Sequence, residues 1–278
     1  MYNAKILLDN GKEIKLGYEY GIAFDIDPIN GVNIDLGTSQ GFQQIGETVE
    51  SQGVGGISRK ITGVIMSDFA AKNLLNSIRL FDTGKLIFNE RYFTEFYVKQ
   101  TPEVVKKSGG KIVFSMLIFS PYPYWFSTVE NAFVLGRYEP AFSFPVIYDT
   151  HQFGVRSDNV FVNAINNGTA KQPFKARFTS SLESSGYGVA NALTGEMIRL
   201  NDTLGIGEVV DVYRKDGRLI VEKTTGSEKE NIFYTLDEDS DLLWINVGDN
   251  ILRPFADSGE VNLEVSVTFN DAFVGVFE

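Results

Sequence analysis

One segment of the chain has the spacing of a serine hydrolase nucleophile. Residues 37–41 read Gly-Thr-Ser-Gln-Gly, which fits the G-x-S-x-G elbow with Ser39 at its centre. The elbow works because a strand enters a tight turn and a helix follows, which exposes the serine. A strand pattern precedes Ser39, but residues 42–56 show no apolar stripe of helical period. The only histidine, His151, would have to serve as the base. The pattern therefore favours a polar, glycine-flanked turn between strands over a hydrolase site.

A second candidate is an acidic run in which Asp237, Asp239 and Asp241 are spaced as at the start of a calcium-binding loop. Such a loop needs a glycine at its sixth position for a sharp turn and a bidentate glutamate at its twelfth. Those two positions hold Leu242 and Gly248. The run is therefore interpreted as a solvated acidic turn.

The residue types present limit other chemistry. The chain has no cysteine, which excludes disulfides, thiolate metal sites and cysteine nucleophiles. His151 alone cannot build a zinc site, so a hydrogen-bonded or surface role is favoured for it. The run 53–56, Gly-Val-Gly-Gly, lacks the Lys-Ser/Thr of a phosphate loop and is interpreted as a hinge or a disordered loop. Because no nucleophile, base and orienting group assemble, we expect no enzyme, no catalytic residues, no cofactor and no metal.

The elements that would have to position such groups are mostly strands. The chain has 22 phenylalanines and 12 tyrosines and few helical patterns, which indicates β structure. One segment predicts a helix, residues 67–81, where the apolar residues from Ala71 to Ile78 follow helical spacing. Ser67 or Asp68 can cap its N-terminus.

The pattern divides the chain into two predicted domains, 1–130 and 131–278. The first is an α+β domain of β-sheets or a split barrel with one helix, and residues 101–110 read as a polar loop within it. The second is all-β, with a hairpin signal at Asp216-Gly217 and alternation over residues 261–269 that points Val261 and every second residue inward. Strands at this spacing indicate an antiparallel sandwich.

The segment Ser-Pro-Tyr-Pro-Tyr-Trp-Phe-Ser, residues 120–127, lies at the predicted boundary. Pro121 and Pro123 cannot donate ladder hydrogen bonds, so they should end the preceding apolar strand at Ser120. Its aromatic rings could stack on a sugar or a base. Because the segment directly follows a core-like strand, the sequence favours packing between the two domains, as a stiff apolar joint that includes Trp125.

Charge and hydropathy restrict the partners. The net charge of −11 and the pI of about 4.7 give no basic surface for phosphate backbones, so specific nucleic-acid binding is not expected. The first residues lack the pattern of a signal peptide, and no apolar run approaches the length of a membrane span. We therefore expect no membrane partner.

The arrangement as a whole resembles the distal tail protein (Dit) family of long-tailed siphophages. The similarity covers nearly the whole chain: a one-helix α+β unit, an apolar strand that ends in Pro-Tyr, and an all-β unit. The C-terminal part is the more specific, and its matching segments are NALTGEMIRLNDTLGIGEVVDVYRKDGRLIVEK, NIFYTLDEDSDLLWINVGDNIL and VNLEVSVTFNDAFVGV. Within the second segment, the run W-I-N-V-G-x-N is similar to siphovirus-type tail components.

The resemblance implies a virion structural hub at the tail tip, assembled in the host bacterial cytoplasm. It implies a homo-hexameric ring made by the N-terminal domains, with a channel through which DNA passes. The implied partners are the tail tube protein, the tail-associated lysin or fibre-base protein, and receptor-binding or baseplate proteins. It also implies a galectin-like C-terminal sandwich, although the histidine, arginine, asparagine and tryptophan set of a galectin sugar site is not seen. Alternatives left open by the residues are a carbohydrate-binding module for host-surface recognition and a Ser39 hydrolase.

Overall fold

The computed structural model describes residues 3–136, 138–139, 155–156, 161–215, 217–241 and 244–276. His151, Asp216 and Leu242 lie outside the described residues. The chain divides into two compact units, the first Met1–Val129 with Ala272–Glu278 and the second Glu130–Asp271. The mainly β, antiparallel architecture predicted from the sequence is confirmed.

The first unit contains strands and the helix α1, which spans Asp68–Ser77. Its strands are β1 (Ala4–Leu8), β2 (Glu13–Leu16), β3 (Ile22–Asp27), β4 (Ile34–Ser39), β5 (Thr48–Val54), β6 (Ile57–Ile65), β7 (Thr83–Phe88), β8 (Tyr92–Ser108), β9 (Lys111–Ser120) and the start of β10 (Trp125–Leu135). The ladders run in the order β2-β1-β7-β8 and β3-β6-β9-β8. Strand β8 belongs to both ladders, because its residues 92–97 pair with β7 and its residues 97–108 pair with β9. Bulges interrupt the second pairing.

The core of the first unit lies between these ladders and α1. Ala70, Ala71 and Leu74 are the buried face of the helix. Around them pack apolar side chains that alternate along the strands, as expected where one face of each strand is buried. They include Ile6, Ile14, Ile61, Ile65, Leu86, Phe96, Phe114, Met116 and Trp125.

The predicted start of the helix is confirmed and its predicted end is wrong. The Ser67 hydroxyl accepts a hydrogen bond from the backbone N–H of Ala70 at 3.2 Å, which satisfies an otherwise unpaired donor of the first turn. The helix ends at Ser77 instead of 81, because Ile78 adopts an extended backbone and turns its side chain into the core.

The predicted polar loop at 101–110 is also wrong. Strand β8 continues to Ser108, and a turn at Gly109 and Gly110, both with positive φ, leads into β9. The side chains of 103–110 are exposed, so the segment looks like a loop in sequence although its backbone pairs with β9. Ser120 ends β9, as its two following prolines predict.

The second unit contains two larger antiparallel sheets whose inner faces share one core, as in a β-sandwich, and two short strand pairs. Its further strands are β11 (Tyr138–Glu139), β12 (Val155–Arg156), β13 (Val162–Asn163), β14 (Gln172–Pro173), β15 (Lys175–Ser180), β16 (Ser184–Asn191), β17 (Met197–Leu204), β18 (Glu208–Lys215), β19 (Arg218–Thr225), β20 (Glu228–Asn231), β21 (Trp244–Ile245), β22 (Ile251–Ser258) and β23 (Leu263–Phe273). One larger sheet runs β23-β15-β18-β19-β20, the other runs β13-β22-β16-β17, and the short pairs are β11-β12 and β14-β21. Across the core, the rings of Phe178 and Tyr187 lie 5.4 Å apart.

The predicted strands of this unit are confirmed with one exception. Strands β18 and β19 form the hairpin around Gly217, and β23 buries alternate residues from Leu263 to Phe269. Val261 is instead 56% exposed, because residues Glu260–Asn262 form a 3₁₀ turn before the strand begins. Among the described residues, no helix is both long and apolar enough to cross a bilayer.

Candidate functional site

Ser39 lies in a hairpin and not in a nucleophile elbow. It is the last residue of β4, and the chain returns directly into β5, where Ser39 pairs with Thr48. Its hydroxyl donates to Glu50 Oε1 at 2.5 Å. A nucleophile elbow needs a helix after this strand, but here a second strand follows it. The residues between the two strands are the polar turn that the sequence favoured.

In the acidic run at 237–241, the carboxylate of Asp237 accepts hydrogen bonds and lies near a cation, so its oxygens are not free to bind a metal. The amide of Asn201 donates to Asp237 at 2.8 Å, and the backbone N–H of Asp239 donates to the same carboxylate at 3.0 Å. Arg199 lies 3.7 Å away. These hydrogen bonds, with the arginine charge, hold the pKa of Asp237 below its ordinary value. In the described part of the chain, no cluster of three or more His, Cys, Asp or Glu side chains could hold a metal ion.

The glycine run 53–56 contains the last two residues of β5 and the two residues that link β5 to β6. A Cβ at Gly56 would lie 2.5 Å from the ring of Phe119 and 2.8 Å from the backbone oxygen of Ser120. Glycine is thus needed there because β6 pairs closely with β9, and not to hold a phosphate.

Trp125, from the aromatic segment 120–127, is a core residue of the first unit. Its side chain is fully buried and its Nε1 donates to the backbone oxygen of Ile29 at 2.9 Å. The ring of Phe88 lies 5.8 Å from it and the guanidinium of Arg59 lies 5.0 Å from its centroid. The sequence suggested a joint that docks the second domain; these partners instead place Trp125 inside the first unit.

Arg59 is a buried cation that fixes the bend after β9. Its side chain is 1% exposed and donates to the backbone oxygen of Pro123 at 2.7 Å. Burial lowers its pKa to about 10. Within the described residues its Nε and Nη1 have no hydrogen-bond partner, so stacking on Trp125 provides much of its compensation.

The second tryptophan, Trp244, is engaged by cations. Lys171 Nζ lies 5.4 Å and the Arg214 guanidinium 5.0 Å from its ring centroid. A sugar that stacked on this indole would have to compete with these contacts. The ring therefore has a structural environment that does not favour the carbohydrate-binding alternative.

A hairpin that we call the arm, residues 34–54, carries an apolar surface that is exposed to solvent. Strands β4 and β5 form a separate two-stranded sheet, and every residue of β5 is exposed. Ile34 pairs with Val54 and Thr38 with Val49, so apolar side chains collect on one side. A two-stranded hairpin is at best marginally stable alone in water, so burial of its apolar face would stabilise the arm.

The tip of the arm is a hydrogen-bonded loop that exposes two apolar side chains. Phe42 is 97% exposed and Ile45 is fully exposed. Gln44 holds the loop between them: its side-chain oxygen accepts from the N–H of Gly41 at 2.9 Å, and its side-chain nitrogen donates to Thr48 at 3.0 Å. Gln43 adopts a positive φ of 62°, which an ordinary residue keeps only when its surroundings impose it.

A second apolar surface of the first unit is concave. We call it the aromatic cleft: a depression of about 630 Å³ between the end of β2, the 3₁₀ turn Tyr18–Tyr20 and the first half of α1. Tyr18 and Phe69 line it with exposed fractions of 60% and 82%. Exposed aromatic rings grouped in a depression are typical of protein interaction sites.

Sequence reasoning missed both surfaces, the arm and the aromatic cleft. Periodicity shows which side chains are apolar but not whether the same chain covers them.

A polar network stabilises the second unit. The Tyr187 hydroxyl donates to Asp202 at 3.1 Å, and Lys223 bridges Asp202 at 3.1 Å and Glu208 at 2.9 Å. Burial raises the pKa of Tyr187 strongly, and the charge of Asp202 adds to the effect. Burial lowers the pKa of Lys223, but its two carboxylate partners outweigh this and raise it overall.

We expect the second unit to lose stability above pH 10 through Tyr187. Its folded pKa lies above the unfolded value of about 10, so its contribution is complete below pH 10 and declines as the unfolded phenol ionises. Between pH 9 and 11 the wild type should lose about 1 kcal/mol more than the Tyr187→Phe variant. Urea unfolding of both proteins at the two pH values measures this difference, and equal losses would contradict it.

The described residues define a mainly β chain in which no catalytic constellation is assembled and whose first unit has two exposed apolar surfaces. The chain has the same fold as the Dit protein of phage SPP1, described as a paradigm of the hub adsorption apparatus in phages that infect Gram-positive bacteria. The two share 9% sequence identity with a TM-score of 0.63, over 97% of this chain and 99% of that chain. The Dit-like fold that the sequence suggested is thus confirmed.

Two baseplate structures of phage p2 in its activated conformation also match. One, with strontium, has 10% identity and a TM-score of 0.48, over 97% of this chain and 98% of that chain. The other, with calcium, has 10% identity and a TM-score of 0.47, over 96% and 97%. No family model matches the chain, and no curated protein matches it.

Proposed function

We propose that the chain is a structural hub of a phage tail, at the tip of the virion, that joins the tail tube to the tail tip or baseplate. The observation that carries this proposal is the shared fold with the SPP1 Dit protein over nearly the full length of both chains. Because the match includes both units, it supports the role of the whole chain and not of a single common domain.

In this role the chain forms a closed homo-hexameric ring, and its second unit anchors receptor-binding or other baseplate proteins. The exposed apolar arm and the aromatic cleft support self-assembly, since unpartnered apolar surfaces on a folded chain mark interaction sites. The tail tube protein contacts one side of the ring and the lysin or fibre-base protein the other. DNA passes through the channel without specific binding, and the chain turns over no substrate. The galectin-like character of the second unit belongs to the same proposal.

The test is the oligomeric state of the purified full chain, alone and with the tail tube protein. Light scattering should give a mass six times the 31.0 kDa of one chain, and negative-stain images should show six-fold rings. A protein that stays monomeric at every concentration, and that binds neither the tail tube nor a baseplate protein, would remove the proposal. A channel lined mainly by basic side chains would count against passage of DNA without binding.

A further inference from the structure

In a ring of identical subunits, every subunit binds its two neighbours through two different surfaces. Contacts of this kind are heterologous, and they close into a ring when the rotation between neighbours allows it. The first unit has two such surfaces, since the arm projects its side chains outward and the aromatic cleft is concave. Each remains exposed in the single chain, as Phe42 at the tip and Phe69 in the cleft show, so the arm does not cover the cleft of its own chain.

The length of the arm and the absence of charged residues at its tip both suit such a contact. Six residues of β4 span about 20 Å, which carries the tip well away from the base of the hairpin. The tip, residues 40–46, is Gln-Gly-Phe-Gln-Gln-Ile-Gly and contains no charged residue. In a chain of net charge −11, two copies repel each other in general, and an uncharged tip avoids adding to this repulsion.

Hydrogen bonds within the tip also fix its conformation before a partner binds. Hydrogen bonds of Gln44 to Gly41 and Thr48 fix the loop, so that little conformational freedom is lost when Phe42 and Ile45 become buried. A large apolar anchor that enters a pocket lined by aromatic rings is the usual form of an interface hot spot. The cleft supplies those rings and, with Glu13, Lys15 and Asn73 at its wall, a polar border.

From these features we infer that Phe42 and Ile45 of one copy insert into the aromatic cleft of the next copy. The inference rests on the proposed ring and names the two surfaces that close it. The occupant of the cleft is a second copy of this chain, because the same unit that presents the uncharged apolar tip also presents an aromatic cleft able to receive it. One contact of this kind per subunit links neighbours head to tail.

Engineered disulfides test the contact directly, because the chain has no cysteine of its own. Ile45→Cys lies at the tip and Asn73→Cys lies at the wall of the cleft. Under oxidation, the double variant should form covalent oligomers up to the closed ring. A mixture of the two single variants should form disulfide-linked dimers that grow no further. Ile45→Cys mixed with Ile206→Cys is the matched control, since Ile206 is 72% exposed in the second unit, and should remain unlinked.

Assembly variants provide a second measurement. Phe42→Ser and Phe69→Ser should each raise the concentration for half-assembly about tenfold to a hundredfold, whereas Ile206→Ser should leave it unchanged. Mixed together at a concentration at which each alone is monomeric, the first two variants should form a dimer through their one intact contact.

The outcomes separate this inference from the proposed function. Rings that persist in both serine variants, with no disulfide between the tip of one Ile45→Cys/Asn73→Cys copy and the cleft of its neighbour, would overturn the contact while leaving the hub intact. A disulfide within one copy would also overturn it, because the arm would then cover its own cleft. A wild type that assembles neither alone nor with the tail tube protein would overturn both.

Discussion

Replacement of Trp125 by alanine is expected to lower the free energy of unfolding of the first unit by about 3–5 kcal/mol. The side chain is fully buried, so its loss leaves a large cavity among well-packed neighbours. The backbone oxygen of Ile29 loses its donor, and Arg59 loses the ring on which its charge is stacked. Because two nitrogens of the guanidinium group have no hydrogen-bond partner among the described residues, removal of the ring leaves a buried cation with less compensation.

The measurement is hydrogen exchange across the chain, combined with urea unfolding. Protection should fall in the first unit, and Trp244, the one tryptophan that remains, should report a nearly unchanged second unit. Leu80→Ala is the matched control, since Leu80 is 70% exposed in the same unit and its loss should change stability by less than about 0.5 kcal/mol. A loss shared equally by both units would instead restore the interpretation of Trp125 as a joint.

The segment 120–127 shows which structural features could be predicted from the sequence and which could not. The prolines predicted the end of β9 correctly, because their effect is local and depends only on the missing N–H and the fixed φ. The position of Trp125 could not be predicted in the same way. Its hydrogen-bond acceptor, Ile29, lies 96 residues away in sequence, and the order of strands brings the two together.

The arm shows a different limit of prediction from the sequence. Its first strand could be read from alternation, with apolar positions at Ile34 and Leu36, whereas the glycine-rich second strand was not predicted. Alternation predicts that one face of a strand is buried, but not by which molecule. Buried strands and assembly surfaces therefore share one sequence pattern, and the exposed fractions of the folded chain are needed to tell them apart.

Replacement of Asn250 by alanine is expected to lower the free energy of unfolding of the second unit by about 3–5 kcal/mol. The side chain is fully buried at the end of the W-I-N-V-G-x-N run. Its nitrogen donates to the backbone oxygens of Ala164, Asn246 and Gly248, at 3.2, 2.8 and 3.1 Å. Its oxygen accepts from the Asn246 N–H at 2.9 Å and from the Asn191 side chain at 3.2 Å. Alanine would leave the buried oxygen of Ala164 and the buried side-chain nitrogen of Asn191 without these bonds, which costs more than the hydrogen bonds contributed. The Gly248 oxygen keeps the N–H of Asn166 at 3.0 Å.

An aspartate at the same position separates hydrogen bonding from packing, because Asn250→Asp keeps the shape of the side chain. Its ionised carboxylate cannot donate, and it faces the backbone oxygens that the amide had satisfied. Those oxygens and burial should raise its pKa in the folded state, so its penalty should be largest at pH 7 and should shrink as the carboxyl becomes protonated near pH 4. Urea unfolding at both pH values, relative to wild type, measures this change. Asn201→Ala, an exposed asparagine of the same unit, should cost less than about 1 kcal/mol. If Asn250→Ala costs no more than Asn201→Ala, the buried amide does not hold this turn, and the W-I-N-V-G-x-N run must be explained by its apolar residues alone.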